Sequence, residues 1–176
     1  MINESKLCIW EDAETPLSCL PFFCSRTCRQ MLSLAEPPCL KRTIEGKLIN
    51  LAERPLKYAS KIFGHDLAPP ALEKLTNANA LWIDCLVRLT APLNKNQKAI
   101  ALTRLAAPFS VLIETPDETF PLKTEKAQRH LTWHHTIPEN SFVSYRPRLK
   151  MHLVNFSLET NEWKMTNQWQ LELAEI

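Results

Sequence analysis

Residues 163–173 read Trp163-Lys164-Met165-Thr166-Asn167-Gln168-Trp169-Gln170-Leu171-Glu172-Leu173, the most regular alternation in a chain of 176 residues. Large apolar side chains occupy the odd positions except 167, and polar side chains occupy the even ones. Because successive side chains of a strand point to opposite faces of a sheet, the pattern predicts a strand with one buried and one solvated face. We therefore expect an antiparallel sheet at the C-terminus.

The period of two extends back to residue 109. Phe109, Val111 and Ile113 alternate with Ser110 and Glu114, and the next segment, Thr115-Pro116-Asp117-Glu118, has the composition of a turn. Further strands are predicted within 130–137, 141–146 and 149–158. In the last of these the apolar phase slips near Leu153-Val154, which predicts either a bulge or a strand buried on both faces.

Upstream of Pro108 the apolar residues recur at helical spacing instead. The spacing predicts helices over 25–34, 43–65, 70–89 and 94–105, the second kinked at its proline. The clearest is the third, which opens at a Pro-Pro pair. Its apolar stripe consists of Leu72, Leu75, Asn79, Trp82, Leu86 and Leu89.

The N-terminal part is distinguished by its cysteines, because five of the six lie within residues 8–39. The segment Phe22-Phe23-Cys24-Ser25-Arg26-Thr27-Cys28 looks like the second half of a zinc knuckle, with Ser25 capping a short helix. Structural zinc takes four N or S ligands, and clustered cysteines in a reducing compartment favour metal over disulfides. Unligated core thiols are the other interpretation. The predicted ligands are Cys8, Cys19, Cys24 and Cys28, with Cys39 as an alternative to Cys19.

These patterns together predict an α+β fold. Residues 1–40 would form a cysteine-rich, zinc-knuckle-like module and residues 41–106 a helical region. Residues 107–176 would form an antiparallel sheet region that packs with the helices as one compact unit.

The composition excludes several classes of function. Two glycines in the whole chain cannot supply a phosphate-binding loop or a dinucleotide fingerprint, each of which needs several glycines close together. No serine stands in a glycine-flanked elbow, and no pair of carboxylates lies in an apolar setting, so no enzymatic activity is predicted. The absence of an apolar leader or a run of about 20 apolar residues leads us to expect a cytoplasmic protein.

The net charge of +2 hides two basic stretches. Residues 26–61 contain eight Lys or Arg and three Glu, and residues 123–150 contain six Lys or Arg and two Glu. They could be solvated surfaces; if they meet in space, they would form a groove for a polyanion. The predicted nucleic-acid contacts are Arg26, Arg29, Lys41, Arg42, Lys126, Arg129, His130, Arg146 and Arg148.

The order of three features resembles a known family. They are the cysteine cluster, the segment Ala107-Pro108-Phe109-Ser110-Val111-Leu112-Ile113 after a helical middle, and the segment Gln128-Arg129-His130-Leu131-Thr132-Trp133 before a strand with Ser141 and Tyr145. In this order the chain resembles the small large-subunit-like, zinc-finger component of type IV CRISPR effector complexes. Arg129 and His130 match that family's basic element, whereas Arg26 and Arg29 are added from charge alone.

The resemblance implies a non-catalytic role in antiviral defence. Such a subunit lies at one end of an RNA-guided filament and helps recognise the short motif that flanks a DNA target, while guide pairing reads the sequence. The expected partners are guide RNA or target DNA and the other subunits of the ribonucleoprotein, with no membrane. The alternative is a protein-interaction or adaptor domain, such as a phage or plasmid accessory protein, that binds no nucleic acid.

Overall fold

The computed structural model describes most of the chain, namely residues 7–12, 17, 28–35, 40–50, 56–66, 70–76, 80–163 and 166–176. The chain divides into two compact units. Unit 1 comprises Met1–Ser18 and Trp82–Lys150, and unit 2 comprises Cys19–Leu81 and Met151–Ile176. Each unit is described by itself below.

The prediction of an α+β fold with a helical middle is wrong, because 60% of the residues are in strands, 3% are helical, and the fold is nearly all β. The one helix among the described residues is α1 (Leu72–Thr76). Of the strands, the first seven are β1 (Cys8–Trp10), β2 (Arg29–Leu34), β3 (Leu40–Arg42), β4 (Leu48–Asn50), β5 (Tyr58–Asp66), β6 (Leu81–Asp84) and β7 (Leu89–Leu93). The others are β8 (Ala99–Ala106), β9 (Val111–Glu114), β10 (Thr119–Leu122), β11 (Gln128–Thr132), β12 (Ser141–Tyr145), β13 (Pro147–Asn161) and β14 (Thr166–Glu175).

Strand β8 shows why apolar residues at helical spacing predicted a helix where the chain forms a strand. Along it, Leu102 and Ala106 are buried, while the odd positions 99, 101 and 103 are exposed, so the burial period is two. The exposed odd positions carry Ala, Ala and Thr, which are small enough to look apolar or neutral in a sequence. Short apolar runs of this kind fit a helix and a strand equally well, and the pairing partner decides between them.

Unit 1 is built from two antiparallel groups of strands. One is a four-stranded sheet in the order β10-β9-β12-β7. In the other, β11 pairs with β8, β8 pairs with the start of β13, and β1 pairs with β6. Both groups contribute to one apolar core, whose buried members are Leu93, Leu102, Ala106, Val111, Ile113, Leu131, Trp133, Ile137, Val143 and Tyr145. Within the strand predicted up to residue 137, the odd positions Leu131, Trp133 and Ile137 are buried, but His135 is exposed and β11 ends at Thr132.

A buried ion pair joins distant parts of unit 1. Arg148 donates from Nε to Asp84 Oδ1 at 2.5 Å and from a terminal nitrogen to Oδ2 at 2.8 Å. The indole N–H of Trp10 also donates to Asp84 Oδ2, at 2.9 Å, and the Arg148 guanidinium lies 4.3 Å from the centroid of the Trp10 ring. The carboxylate thus fixes β1, β6 and β13 to one another through charge-assisted hydrogen bonds.

Unit 2 contains an antiparallel sheet in the order β13-β14-β5-β2, together with the short β3–β4 hairpin and α1. The alternation predicted for residues 163–173 is confirmed within β14, where Trp169, Leu171 and Leu173 are buried. The pairing of β13 with β14 shifts register between Leu153 and Asn155, which confirms the bulge.

One close approach fixes the residue type in the middle of β5. Gly64 is paired with Trp169 of β14, and a Cβ atom at Gly64 would overlap the Trp169 indole. Glycine is therefore required here for space, since its backbone has no positive φ. No helix in the described part of the chain is long and apolar enough to cross a membrane.

Candidate nucleic-acid interface

A strained turn in unit 1 exposes a large aromatic side chain. Phe109 has a φ of 54° and is 62% exposed. Ser110 holds the turn: its hydroxyl donates to the Ala107 carbonyl at 2.6 Å, and it accepts from the backbone N–H of Arg146 at 3.3 Å. A left-handed conformation at a bulky residue costs about 1–3 kcal/mol and is concentrated at functional sites. The sequence prediction that Phe109 begins a strand is wrong, since β9 starts at Val111.

Basic side chains line the segment that follows β10. Lys123, Lys126, Arg129 and His130 are all exposed, and within the described part of the chain no hydrogen bond or ion pair engages their side chains. We call these four residues the basic strip. The pairing of β11 with β8 shifts register between Gln128 and His130, where Arg129 alone on β11 stands opposite residues 102–105 of β8. The extra residues of this irregularity therefore belong to β8.

Phe109 lies beside the basic strip. Its backbone N–H donates to the carbonyl of Thr124 at 2.8 Å, and Thr124 directly follows Lys123. At the other end, His130 is paired with Ala101 of β8. Ala101 is exposed and small, so its side chain does not cover His130. A phosphate backbone could therefore approach the strip closely.

A further cation is held in place near the same turn. The Arg88 guanidinium donates to the Ser144 hydroxyl at 2.7 Å, to the Ser144 carbonyl at 2.9 Å and to the Ser110 carbonyl at 2.7 Å. These bonds fix its orientation although the residue is exposed. Sequence reasoning missed Arg88, because it lies outside both basic stretches and only the fold brings it to Ser110.

The other predicted contacts are distributed between the units. Arg146 is half-buried in unit 1, and Arg148 is buried there and bound to Asp84, which places it in the interior. In unit 2, Arg29 is exposed on β2, and Lys41 and Arg42 are exposed on the β3–β4 hairpin. Arg26 lies outside the described residues.

Two of the four predicted zinc ligands lie in the described part of the chain. Cys8 is half-buried in β1 and belongs to unit 1. Cys28 is half-buried just before β2 and belongs to unit 2. Cys19, Cys24 and Cys39 lie outside the described residues. Among the residues that are described, no group of three or more His, Cys, Asp or Glu could hold a metal ion. The zinc site stays a prediction from the cysteine spacing.

Unit 2 contains a groove of about 510 Å³ on its sheet. Most of its lining residues project from the solvent face of the sheet formed by β2, β5, β14 and β13. The strand register arranges them in two rows that run across the strands. One row runs Arg29, Phe63, Gln170 and Ser157, and the next runs His65, Gln168 and Glu159. We call it the sheet groove. Of its residues, only Arg29 was predicted from the sequence to contact a ligand.

An ion pair lies in the row beside the sheet groove. Lys61 Nζ and Glu172 Oε1 are 2.8 Å apart on paired positions of β5 and β14. The hydrogen bond from Lys61 lowers the pKa of Glu172, assisted by the charge of Lys61 and by a hydrogen bond from Gln170, while desolvation opposes the shift. These two charges neutralise each other, so Arg29 and Glu159 are the fixed charges of the groove.

The chain was compared with protein-family models, with curated proteins and with solved structures, and none of them matches it.

Proposed function

We propose that this chain is a non-catalytic nucleic-acid-binding protein that contacts a single strand through the basic strip and Phe109. The observation that carries the proposal is the position of four exposed basic or titratable side chains, engaged by no hydrogen bond or ion pair among the described residues, beside an exposed aromatic ring on a strained turn. Single strands are bound by this combination, in which cations follow the phosphates and aromatic rings stack on bases. Aromatic stacking tolerates every base, so little sequence preference is expected.

We also propose that the protein acts within an RNA-guided ribonucleoprotein. What supports this setting is that the two segments carrying the family resemblance adjoin in unit 1: Gln128 pairs with Ala106, immediately before the Ala107–Ile113 segment. In such an assembly the strip would contact guide RNA or the target strand near the flanking motif. Co-purification of the tagged protein with small RNA and with backbone-type subunits tests this setting.

The binding test uses a charge-neutralised variant. Lys123→Gln, Lys126→Gln and Arg129→Gln are combined, and the affinity for a labelled single strand is measured by fluorescence anisotropy between about 50 and 200 mM salt. The slope of log K against log salt is negative, and each lost phosphate contact should reduce its magnitude by about 0.7 for a single strand. The triple variant should therefore lose up to about 2 units of slope.

A matched control is available in the same unit. Lys95 is also exposed but is paired with Glu139 at 3.0 Å, so Lys95→Gln should leave the salt slope unchanged. Phe109→Ala should weaken binding by about 1–3 kcal/mol with little change of slope, and Phe109→Tyr should retain it. An unchanged slope in the triple variant would overturn the assignment of the strip.

The adaptor alternative is favoured by a different surface. In unit 2, Val154 is 65% exposed and Trp163 is 97% exposed on the β13–β14 hairpin. Exposed tryptophans commonly anchor protein interfaces. If single strands bind the intact protein with no salt dependence, or do not bind at all, this alternative replaces the proposal.

A further inference from the structure

The sheet groove contains polar side chains that the fold itself does not use. Arg29, Ser157, Glu159 and Gln168 are exposed, and no hydrogen bond or ion pair engages their side chains in the described part of the chain. They converge on one concave surface together with the half-exposed ring of Phe63. The Lys61–Glu172 ion pair, which links β5 to β14, lies in the row beside them. The groove residues are therefore available for a ligand.

The shape and charge of the groove limit the class of that ligand. Its volume of about 510 Å³ falls in the range of small-molecule sites. Arg29 projects from β2 at one side, and Glu159 projects from β13 at the other. Three strand-to-strand steps of about 4.8 Å separate these two strands, or about 14 Å. A ligand that fits has an anionic end, a flat apolar middle and a hydrogen-donating far edge.

We propose that the sheet groove binds a nucleoside phosphate, with the phosphate on Arg29, the base over Phe63 and the edge of the base toward Glu159. A guanidinium is the side chain best matched to phosphate oxygens. Phe63 stands next to Arg29 in the same row, so a base stacked on the ring leaves its phosphate within reach of the guanidinium. The site is separate from the basic strip and does not depend on it.

Glu159 gives the groove a preference among bases. A carboxylate only accepts hydrogen bonds, so it pairs with the exocyclic amine of cytosine and faces the O4 oxygen of uracil unfavourably. The side-chain amide of Gln168, in the same row, can donate or accept and does not discriminate. CMP should therefore bind more tightly than UMP, which has the same size and the same phosphate.

The experiment measures the dissociation constants of CMP, UMP and cytidine for the full chain by calorimetry, with amide shifts mapped by NMR. CMP should bind about two- to tenfold more tightly than UMP, the effect of one net hydrogen bond. Arg29→Gln should weaken CMP and UMP equally and abolish the advantage of CMP over cytidine. Glu159→Gln should bring the CMP-to-UMP ratio close to one.

Controls separate the groove from other surfaces. Lys41→Gln removes an exposed cation of unit 2 outside the groove and should change none of these constants. The triple variant of the basic strip should reduce the salt slope of single-strand binding and retain CMP binding, so a failure of the two proposals can be told apart. Phe63→Ala should weaken all three ligands.

The two sources of a nucleoside phosphate are distinguished by a second titration. If a short oligonucleotide shifts the β5, β14 and β13 amides and Arg29→Gln abolishes the effect, while CMP alone does not bind, the natural ligand is the end of a strand. If CMP binds alone, it is a free nucleotide. The proposal is overturned if neither ligand shifts these amides, if Arg29→Gln leaves CMP binding unchanged, or if only an extended peptide occupies the groove.

Discussion

The two units each contain an ion pair of nearly the same length, and the pairs differ in burial. Arg148 and Asp84 of unit 1 are 2.5 Å apart with side chains 4% and 7% exposed, whereas Lys61 and Glu172 of unit 2 are 2.8 Å apart with side chains 45% and 27% exposed. In the interior, a lost partner leaves a charge without water. At the surface, water and salt replace the partner. Burial rather than distance therefore decides what each pair does.

The largest effect is expected from removing the buried carboxylate. Asp84→Ala leaves the Arg148 guanidinium desolvated and unpaired, and should lower the free energy of unfolding by about 3–5 kcal/mol. Urea denaturation followed by tryptophan fluorescence measures this loss. Replacing both residues, as Asp84→Leu with Arg148→Met, should recover most of the stability, because an apolar pair has no charge to desolvate. If the double variant is as unstable as Asp84→Ala, the cost arises from packing and not from charge.

A smaller effect is expected at the aromatic partner of the buried pair. Trp10→Phe removes the indole N–H that donates to Asp84 at 2.9 Å and weakens the ring under the Arg148 guanidinium. The expected loss is about 1–2 kcal/mol. Trp163→Phe is the matched control: Trp163 is 97% exposed, so its replacement should leave the free energy of unfolding unchanged. Equal losses in the two variants would contradict a specific role for Trp10.

The smallest effect on stability is expected at the exposed Lys61–Glu172 pair. It changes the pH dependence of the free energy of unfolding. The folded pKa of Glu172 lies below its ordinary value because Lys61 donates a hydrogen bond to the carboxylate. The stabilisation is therefore complete above the unfolded pKa and is lost as the pH falls through the folded pKa. Lys61→Gln should raise the pKa of Glu172 toward its ordinary value and flatten this acid limb of the stability curve.

NMR titration of the Glu172 side-chain carboxyl measures the shift in both proteins. Lys41→Gln removes a cation elsewhere in unit 2 and should leave the pKa of Glu172 where it is. High salt should reduce the difference between wild type and Lys61→Gln, since exposed charges are screened. A large loss of global stability in Lys61→Gln would mean that the exposed pair behaves like the buried one.

The comparison also applies to the two proposed sites. In unit 1 the basic strip has no compensating acid among the described contacts, so its interactions are long-ranged and sensitive to salt. In unit 2 the sheet groove has one cation and one anion on opposite sides, so it selects a ligand by shape and hydrogen bonding. Salt should therefore weaken binding at the strip far more than at the groove.

The sequence alone was sufficient where one face of a strand carries the apolar residues. It predicted β14, a bulge near Val154 as one of two alternatives, and the turn at Thr115–Glu118, where the Thr115 N–H donates to the Glu118 carbonyl at 2.9 Å. Each depends on a local property, either the period of two or the composition of a turn. The same alternation accounts for the exposure of His130 beside the buried Leu131, but not for the exposure of Arg129, which precedes His130 by one position.

The tertiary structure alone decided β5 and the buried ion pair. The inward positions of β5 include Ser60 and Gly64, while Ala59 and Phe63 lie on the other side, so its apolar residues resemble a helical stripe. The requirement for glycine at position 64 comes from Trp169, whose indole approaches from another strand. Asp84 and Arg148 lie 64 positions apart in the chain. Residue patterns report the local period, but strand partners and buried charges depend on contacts between distant segments, which no local pattern contains.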